Sequence, residues 1–460
     1  MIAAARSALA GRGLLGPQSA GSLLPQTVPG DPRPLPRSIG SPAIRRAEPT
    51  FGNLFVLGAG ELAARGLTFL AFAYLGRVLE PAHFGLLGSA YAVMMISTLA
   101  IDQGFGVVGS RAIARDLQVT EGLVTRIVAA QLDLAIILFL LLFAGTWVLS
   151  PEAGLAGLLR GLAFSLLGVP FLLNWVFQGR NEMFWYAAPA ALRQALFLAG
   201  AVLLVRGPDD LLRLPIAELG AVAGAGTCFV MAYRGLGYRL RLDLRGWDQQ
   251  LFRQALPIGI STLIWAARMY VPVLVVLAAL GPGPAGLFES AHRLIMALLV
   301  LLNVYFTNVF PAMSATSQAP EGGFERLLRR ALRTSLGGTA AICVITFLLA
   351  PQVLGIVFGA SYVTPDSVRA LIVLVCLTPV LAWRRTGRLA LIVLERQRAE
   401  LWCSTLGVAL LLALLWPLAR FAGIVGAAGA MLTSELFGAA ITWMVLRAHL
   451  RRTKEATGVA

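Results

Sequence analysis

The sequence predicts an all-α polytopic membrane protein with about twelve transmembrane helices in two six-helix lobes, and three observations predict it. Hydrophobic residues make up 58% of the 460-residue chain and charged residues 13%, with a mean hydropathy of +0.77. A water-facing surface cannot be assembled from that composition, so the excess apolar side chain must face lipid. The apolar residues fall into blocks close to the roughly 20 residues that cross a bilayer. A polar stretch from Arg234 to Arg253 interrupts the series near its middle, setting Arg234, Arg239, Arg241, Arg245 and Arg253 against only Asp243 and Asp248. About six apolar blocks stand on each side of this basic linker. The blocks must be helices, because every backbone amide at that depth needs an internal partner and barrel strands would be shorter and alternate in polarity. Forty-eight glycines suit close helix packing.

In chain order, residues 1–50 are rich in proline and carry Arg6, Arg12, Arg33, Arg37, Arg45 and Arg46 without periodic hydrophobicity. They read as a flexible basic tail, with no apolar core long enough for a cleaved signal peptide. Residues 51–233 form the first lobe, 234–253 the cytoplasmic basic linker, 254–446 the second lobe and 447–460 a cytoplasmic tail. The expected crossings are 53–75, 84–108, 123–148, 155–177, 184–205 and 214–233, then 256–280, 286–311, 327–349, 367–394, 401–420 and 424–446. Arginine placement checks this count. With a cytoplasmic amino end, the inner connections hold Arg111, Arg115, Arg180, the central five, Arg326, Arg329, Arg330, Arg396, Arg398, Arg447, Arg451 and Arg452. The outer connections hold far fewer, which is the bias that retention of positive flanks produces. Both termini are thus expected in the cytoplasm. The formal charge of +15 would suggest nucleic acid in a soluble protein, but here it sets topology. Cys228, Cys343, Cys376 and Cys403 lie in or beside apolar blocks without paired spacing and read as small buried residues.

Polar groups at membrane depth are expensive, so charges within spans are the functional candidates. Glu61 and Arg65 are four residues apart on one helical face, and Glu289 and Arg293 stand in the same relation. Each pair either stitches helices together or presents an arginine to an anionic headgroup. Arg268 has no acidic neighbour at helical spacing; it requires a carboxylate on another helix, a wet cavity or an anionic ligand, and is the leading site candidate. Arg384 and Arg388 share a face of the tenth span, with Arg385 turned about 100° away. They offer headgroup anchoring or a basic wall that attracts diphosphate. Asn174 and Asn303 are further cavity candidates, as are Arg193 and Gln194, and Glu435 lies within the last span. Asp102 and Asp133 could bind a coupling Na+ or H+ or partner a cavity arginine; no other cofactor and no metal is implied. Trp175, Phe177, Phe184, Trp185 and Tyr186 surround an inner turn, where an interfacial belt would put them. Pro170, Pro189, Pro272, Pro379 and Pro417 interrupt spans and would bend them, as bent helices do in secondary carriers. No phosphate-binding nucleotide loop and no large outer domain is present, so transport energy would come from a gradient.

Several segments resemble the polysaccharide biosynthesis or oligosaccharide flippase family, within the superfamily of multidrug and toxin exporters and peptidoglycan lipid flippases. They are YLGRVLEPAHFGLLGSAYAV, IDQGFGVVGSRAIAR and PFLLNWVFQGRNEMFWYAAPAALRQ in the first half. In the second half they are LGPGPAGLFESAHRLIMALLVLLNVYFTNVFPAMS, APQVLGIVFGASYVTPDSVRALIVL and GIVGAAGAMLTSELFGA. The ordered set covers most of residues 51–446. The resemblance implies two lobes around a central basic cavity and alternating access. It further implies movement of an undecaprenyl-diphosphate-linked oligosaccharide from the cytoplasmic to the periplasmic leaflet of the bacterial inner membrane, for O-antigen or other surface polysaccharide synthesis. Arg65, Arg268 and Arg293 occupy helices suited to meeting the diphosphate. Partners so implied are the lipid-linked oligosaccharide, membrane lipids and polysaccharide polymerase or export proteins, with no nucleic acid. The two additional helices typical of peptidoglycan lipid flippases are missing. A multidrug or metabolite exporter of the same architecture is the alternative; a membrane glycosyltransferase or polymerase would need a catalytic outer domain.

Overall fold

A computed structural model describes residues 51–149, 153–241, 248–316 and 323–457; the expected amino-terminal tail and residues 242–247 of the central linker lie outside these residues. The helices are α1 (Phe51–Asp102), α2 (Phe105–Arg115), α3 (Thr120–Leu149), α4 (Ala153–Leu166), α5 (Asn174–Gly179), α6 (Met183–Leu204) and α7 (Leu214–Gly235) in the first half. In the second half they are α8 (Gln249–Leu280), α9 (Pro282–Thr316), α10 (Gly323–Phe358), α11 (Pro365–Val375), α12 (Leu377–Val393) and α13 (Gln397–Thr457).

Ten of the described helical stretches are long and apolar enough to cross a membrane, and two of them cross twice. At 1.5 Å per residue α1 would run about 78 Å if straight, far beyond a hydrocarbon core of about 30 Å. It breaks instead at Glu80 (φ 61°, ψ 162°) and folds back, so that Phe72 and Tyr91 meet edge to face with centroids 5.0 Å apart. Likewise α13 breaks at Ala422 and Gly423, and Gly407 and Gly438, on opposite sides of that break, pack against the same guanidinium, that of Arg384. Twelve crossings result, at the expected positions. Helical interruptions at Val169–Phe171, beside Pro170, and at Cys376 split the fourth and tenth crossings into α4 with α5 and α11 with α12.

The two halves meet through a repeat that is visible once they are superposed in register. Pro81, Gly85, Leu86, Ser89, Ala90 and Met95 recur as Pro282, Gly286, Leu287, Ser290, Ala291 and Met296. The residue before each proline, Glu80 or Gly281, has positive φ with extended ψ, which turns the chain sharply into the next helix. The second limb of α1 and the start of α9 then cross at the paired glycines. A Cβ on Gly85 would strike the backbone at Pro282 and Gly286, and one on Gly286 the backbone at Pro81 and Gly85. Such backbone approach is what glycine permits between membrane helices.

Beside this crossing the charge-poor end is shut. Phe84, Phe358 and Tyr362, all nearly fully buried, stack with centroids 5.6–5.9 Å apart. Arg77 on α1 donates to the carbonyls of Ile356 and Val357, which lack helical partners at the end of α10. At the opposite, arginine-rich end, Asp248 caps α8 by accepting the N–H groups of Gln250 and Leu251, both at 3.0 Å, and pairs with Arg126 of α3 at 2.8 Å. Those bonds, led by that from Leu251, hold its carboxyl below the ordinary value of 3.8.

The crossing makes a direct prediction. Gly286→Ala will lower the thermal unfolding temperature of the detergent-solubilised protein by several degrees, whereas Gly283→Ala, at a position facing open space, will leave it unchanged.

Candidate functional site

Between the halves lies a cavity of ≈260 Å³, to which α1, α6, α7, α8, α9 and α12 all contribute. Its charged lining is four arginines, Arg65, Arg193, Arg293 and Arg385, against two glutamates, Glu218 and Glu289. Three of these arginines have a carboxylate of their own. Arg65 Nη2 lies 2.6 Å from Glu61, and Arg293 pairs with Glu289 four residues before it, as the spacing predicts. Arg193 pairs with Glu218 of α7, whose other oxygen accepts the Tyr91 hydroxyl at 2.9 Å. Arg385 is different: its guanidinium donates to the side-chain carbonyl of Asn303, a neutral partner. The cavity therefore carries a surplus of positive charge, centred on α12.

Arg293 is placed with particular care. Its guanidinium carbon sits 3.5 Å above the Phe72 ring, so the cation bridges α9 to α1 as well as meeting Glu289. The carboxylate of Glu289 fits there because the register partner of Glu289 in the first half is Gly88, where a Cβ would come within 2.6 Å of the Glu289 side chain. His292, stacked on Phe288, lies 3.9 Å from the same carboxylate.

A second space of ≈400 Å³ opens off the first, between the early part of α1 and α9. Leu62, Phe69, Met296, Ala297 and Val300 give it apolar walls, and Arg65, Thr68 and Arg293 are shared with the central cavity. An anion on the arginines would thus stand at the head of a slot suited to hydrocarbon.

Arg268, Arg384 and Arg388, expected at the cavity wall, are not among its lining residues. Arg268 Nε is 3.0 Å from one oxygen of Glu435 and Arg384 Nη1 is 2.6 Å from the other. Arg384 continues to Ser404 at 3.3 Å, Ser404 donates to Glu400 at 2.9 Å, and Arg388 meets Glu400 at 2.9 Å. This network joins α8, α12 and both limbs of α13. The face of α12 shared by Arg384 and Arg388 turns toward α13, which leaves the face bearing Arg385 for the cavity. Removing Glu435 leaves two buried cations without their carboxylate, a change that costs on the order of 3–5 kcal/mol. Glu435→Ala should therefore sharply reduce folded yield on size exclusion, while Arg388→Ala, half-exposed at the network's end, should retain it.

A third space of ≈350 Å³ lies within the first half and shares Arg193 and Gln194 with the central cavity. Asp102 and Asn174 both line it, with Gln131, Gln178 and Trp175. Asp102 accepts from the N–H of Gly106 at 3.1 Å, the N–H of Gly104 at 3.3 Å and Gln131 Nε2 at 3.3 Å. Asp133 is half-buried on α3 and lines none of the three spaces. Trp175 and Phe177, expected as interface anchors, are buried instead, whereas Phe184 and Trp185 are exposed. Tyr91, Glu218, His292 and Arg385 were not singled out as ligand-binding candidates from sequence. Of these only Arg385 had a usable signal, its turn away from Arg384 and Arg388 on the helical wheel.

Comparison with known proteins places this architecture. The chain is 23% identical over 394 residues to a candidate O-antigen transporter of Escherichia coli (strain K12), a match covering 83% of this chain and 92% of the relative. Its fold matches the inward-facing structure of a multidrug resistance MATE family transporter with a TM-score of 0.70 at 16% identity, covering 85% of this chain and 96% of that one. It matches the lipid II flippase MurJ, in an inward closed conformation, with a TM-score of 0.69 at 14% identity, covering 85% and 87% of the two chains. The family profile described as polysaccharide biosynthesis protein matches residues 51–317. With that profile spanning more than half of the chain, this twelve-span membrane protein belongs to the polysaccharide biosynthesis protein family.

Proposed function

We propose that this protein is a flippase that carries an undecaprenyl-diphosphate-linked oligosaccharide from the cytoplasmic to the periplasmic leaflet of a bacterial inner membrane. The observation that carries this reading is the junction of an arginine-surplus cavity with an apolar slot between α1 and α9. A polyprenyl diphosphate has the matching parts: an anionic head, for which guanidinium is the best multi-donor partner, and a hydrocarbon tail that need never leave lipid. Arg65, Arg293 and Arg385 would hold the diphosphate, with Asn303 orienting Arg385. As substrate arrives, Arg65 and Arg293 exchange part of their contact with Glu61 and Glu289 for phosphate oxygens. Arg293, mostly buried, has already lost most of its water, so phosphate oxygens ask little further desolvation of it.

Movement across the bilayer is by alternating access. The arginine-rich end, which the charge bias assigns to the cytoplasm, is the entry side, and the aromatic seal around Phe84, Phe358 and Tyr362 is the exit gate that must part. Arg268, Arg384, Arg388 and Glu435 serve to keep the second half rigid while it moves. A multidrug exporter of this architecture would carry cationic or apolar cargo, which a surplus of arginine disfavours.

The test is complementation of surface-polysaccharide export in a strain lacking the gene, with membrane abundance of each variant measured. Arg385→Gln and Arg293→Gln should each reduce export at least tenfold at normal abundance, and Leu62→Trp, which fills the slot, should do the same. Export at the unmodified level from all three would refute this reading, as would protection against cationic dyes by the unmodified protein without any effect on polysaccharide.

A further inference from the structure

We propose that the space within the first half is a sugar subsite that takes an uncharged, hydroxyl-rich ring of the glycan while the diphosphate lies at the arginines; this rests on the function proposed above. Its polar lining is amide-dominated: Gln131, Asn174, Gln178 and Gln194, with Thr98 and Asp102. Each primary amide offers both donors and acceptors, the mixed set that vicinal hydroxyls require and that an inorganic ion or a cationic drug does not use. Asp102 has three N–H donors against about four lone-pair positions on a carboxylate, which leaves acceptor capacity for a hydroxyl.

Trp175 closes one wall of this pocket. It is 4% exposed, its benzo edge is seated where Gly109 leaves room, and its indole N–H has no hydrogen-bond partner among the described residues. The volume, ≈350 Å³, sits at the lower end of the roughly 300–1,000 Å³ typical of small-ligand sites.

Charge selects the class of sugar. Arg193, the one cation in the lining, is engaged by Glu218, so the carboxylate of Asp102 dominates and an acidic sugar would be repelled. Gln194 and Arg193 line both spaces, so a glycan whose diphosphate is at Arg293 and Arg385 can reach this pocket without leaving the protein.

The experiment measures binding to the purified full-length protein in nanodiscs with two probes. One is the repeat-unit oligosaccharide released by mild acid from the host's own lipid-linked pool; the other is farnesyl diphosphate, a sugar-free carrier head. Asn174→Ala combined with Gln178→Ala should raise the Kd for the oligosaccharide at least tenfold and leave farnesyl diphosphate binding unchanged. Arg385→Gln should do the reverse. The isosteric Asp102→Asn, which keeps the fold intact if the double variant does not, should weaken the oligosaccharide severalfold without touching the diphosphate. Unaltered oligosaccharide affinity in these pocket variants overturns the subsite. A protein that binds the oligosaccharide through this pocket but never binds farnesyl diphosphate upholds the subsite and overturns the flippase reading instead.

Discussion

A guanidinium cannot shed its proton at any depth in a membrane, and the rest of this structure is arranged around that constraint. Each buried arginine must be met by something negative; of the four that line the central cavity, Arg193 and Arg293 are met by glutamates within the protein and the half-exposed Arg65 by Glu61 at the cavity's edge. The fourth, Arg385, is met by an amide carbonyl. The distinction grades the binding surface: a cation already paired must give up part of that contact to take an anionic ligand, whereas one held by a neutral group has most of its Coulombic attraction still to satisfy. The Arg268, Arg384 and Glu435 cluster is the same chemistry used in the opposite sense, closed on itself and turned away from the cavity.

The helical repeat supplies the frame on which these charges are displayed. Its two copies are nearly alike in the residues that make the crossing and unlike in the residues beyond it. Gly88, Tyr91 and Ala92 stand where the second copy has Glu289, His292 and Arg293. The crossing thus keeps its geometry while only one side of the cavity acquires an ion pair. Small residues in the first copy make room for the larger, charged ones of the second.

Composition and block length were enough to read twelve crossings, because lipid imposes one rule on every backbone amide. The pairs Glu61 with Arg65 and Glu289 with Arg293 were equally legible, since four residues on a helix is a contact irrespective of the fold. What could not be read was which face of α12 looks inward. Arg384 and Arg388 drew attention as a pair, but their shared face belongs to Glu435 and Glu400 on α13, and nothing local distinguishes a partner on a distant helix from a ligand. Arg268 met the first of the partners that its isolation on α8 required, a carboxylate on another helix. Trp175 sits in the same short segment as Phe184 and Trp185, and its burial follows from Gly109 on another helix. The repeat itself was open to inspection, yet only spatial contact between Gly85 and Gly286 gives it meaning.

The seal at the charge-poor end joins rings, glycine backbone and a guanidinium bound to helix carbonyls, with no carboxylate–guanidinium pair among the described residues that form it. Its cohesion comes from dispersion and from dipoles, so it is largely indifferent to the acidity and ionic strength of whatever medium bathes it. A bacterium's surroundings vary in both respects far more than its interior does. In the orientation proposed above, a door fastened in this manner would be worked from the cytoplasmic face, by events at the arginines, and would ignore the weather outside.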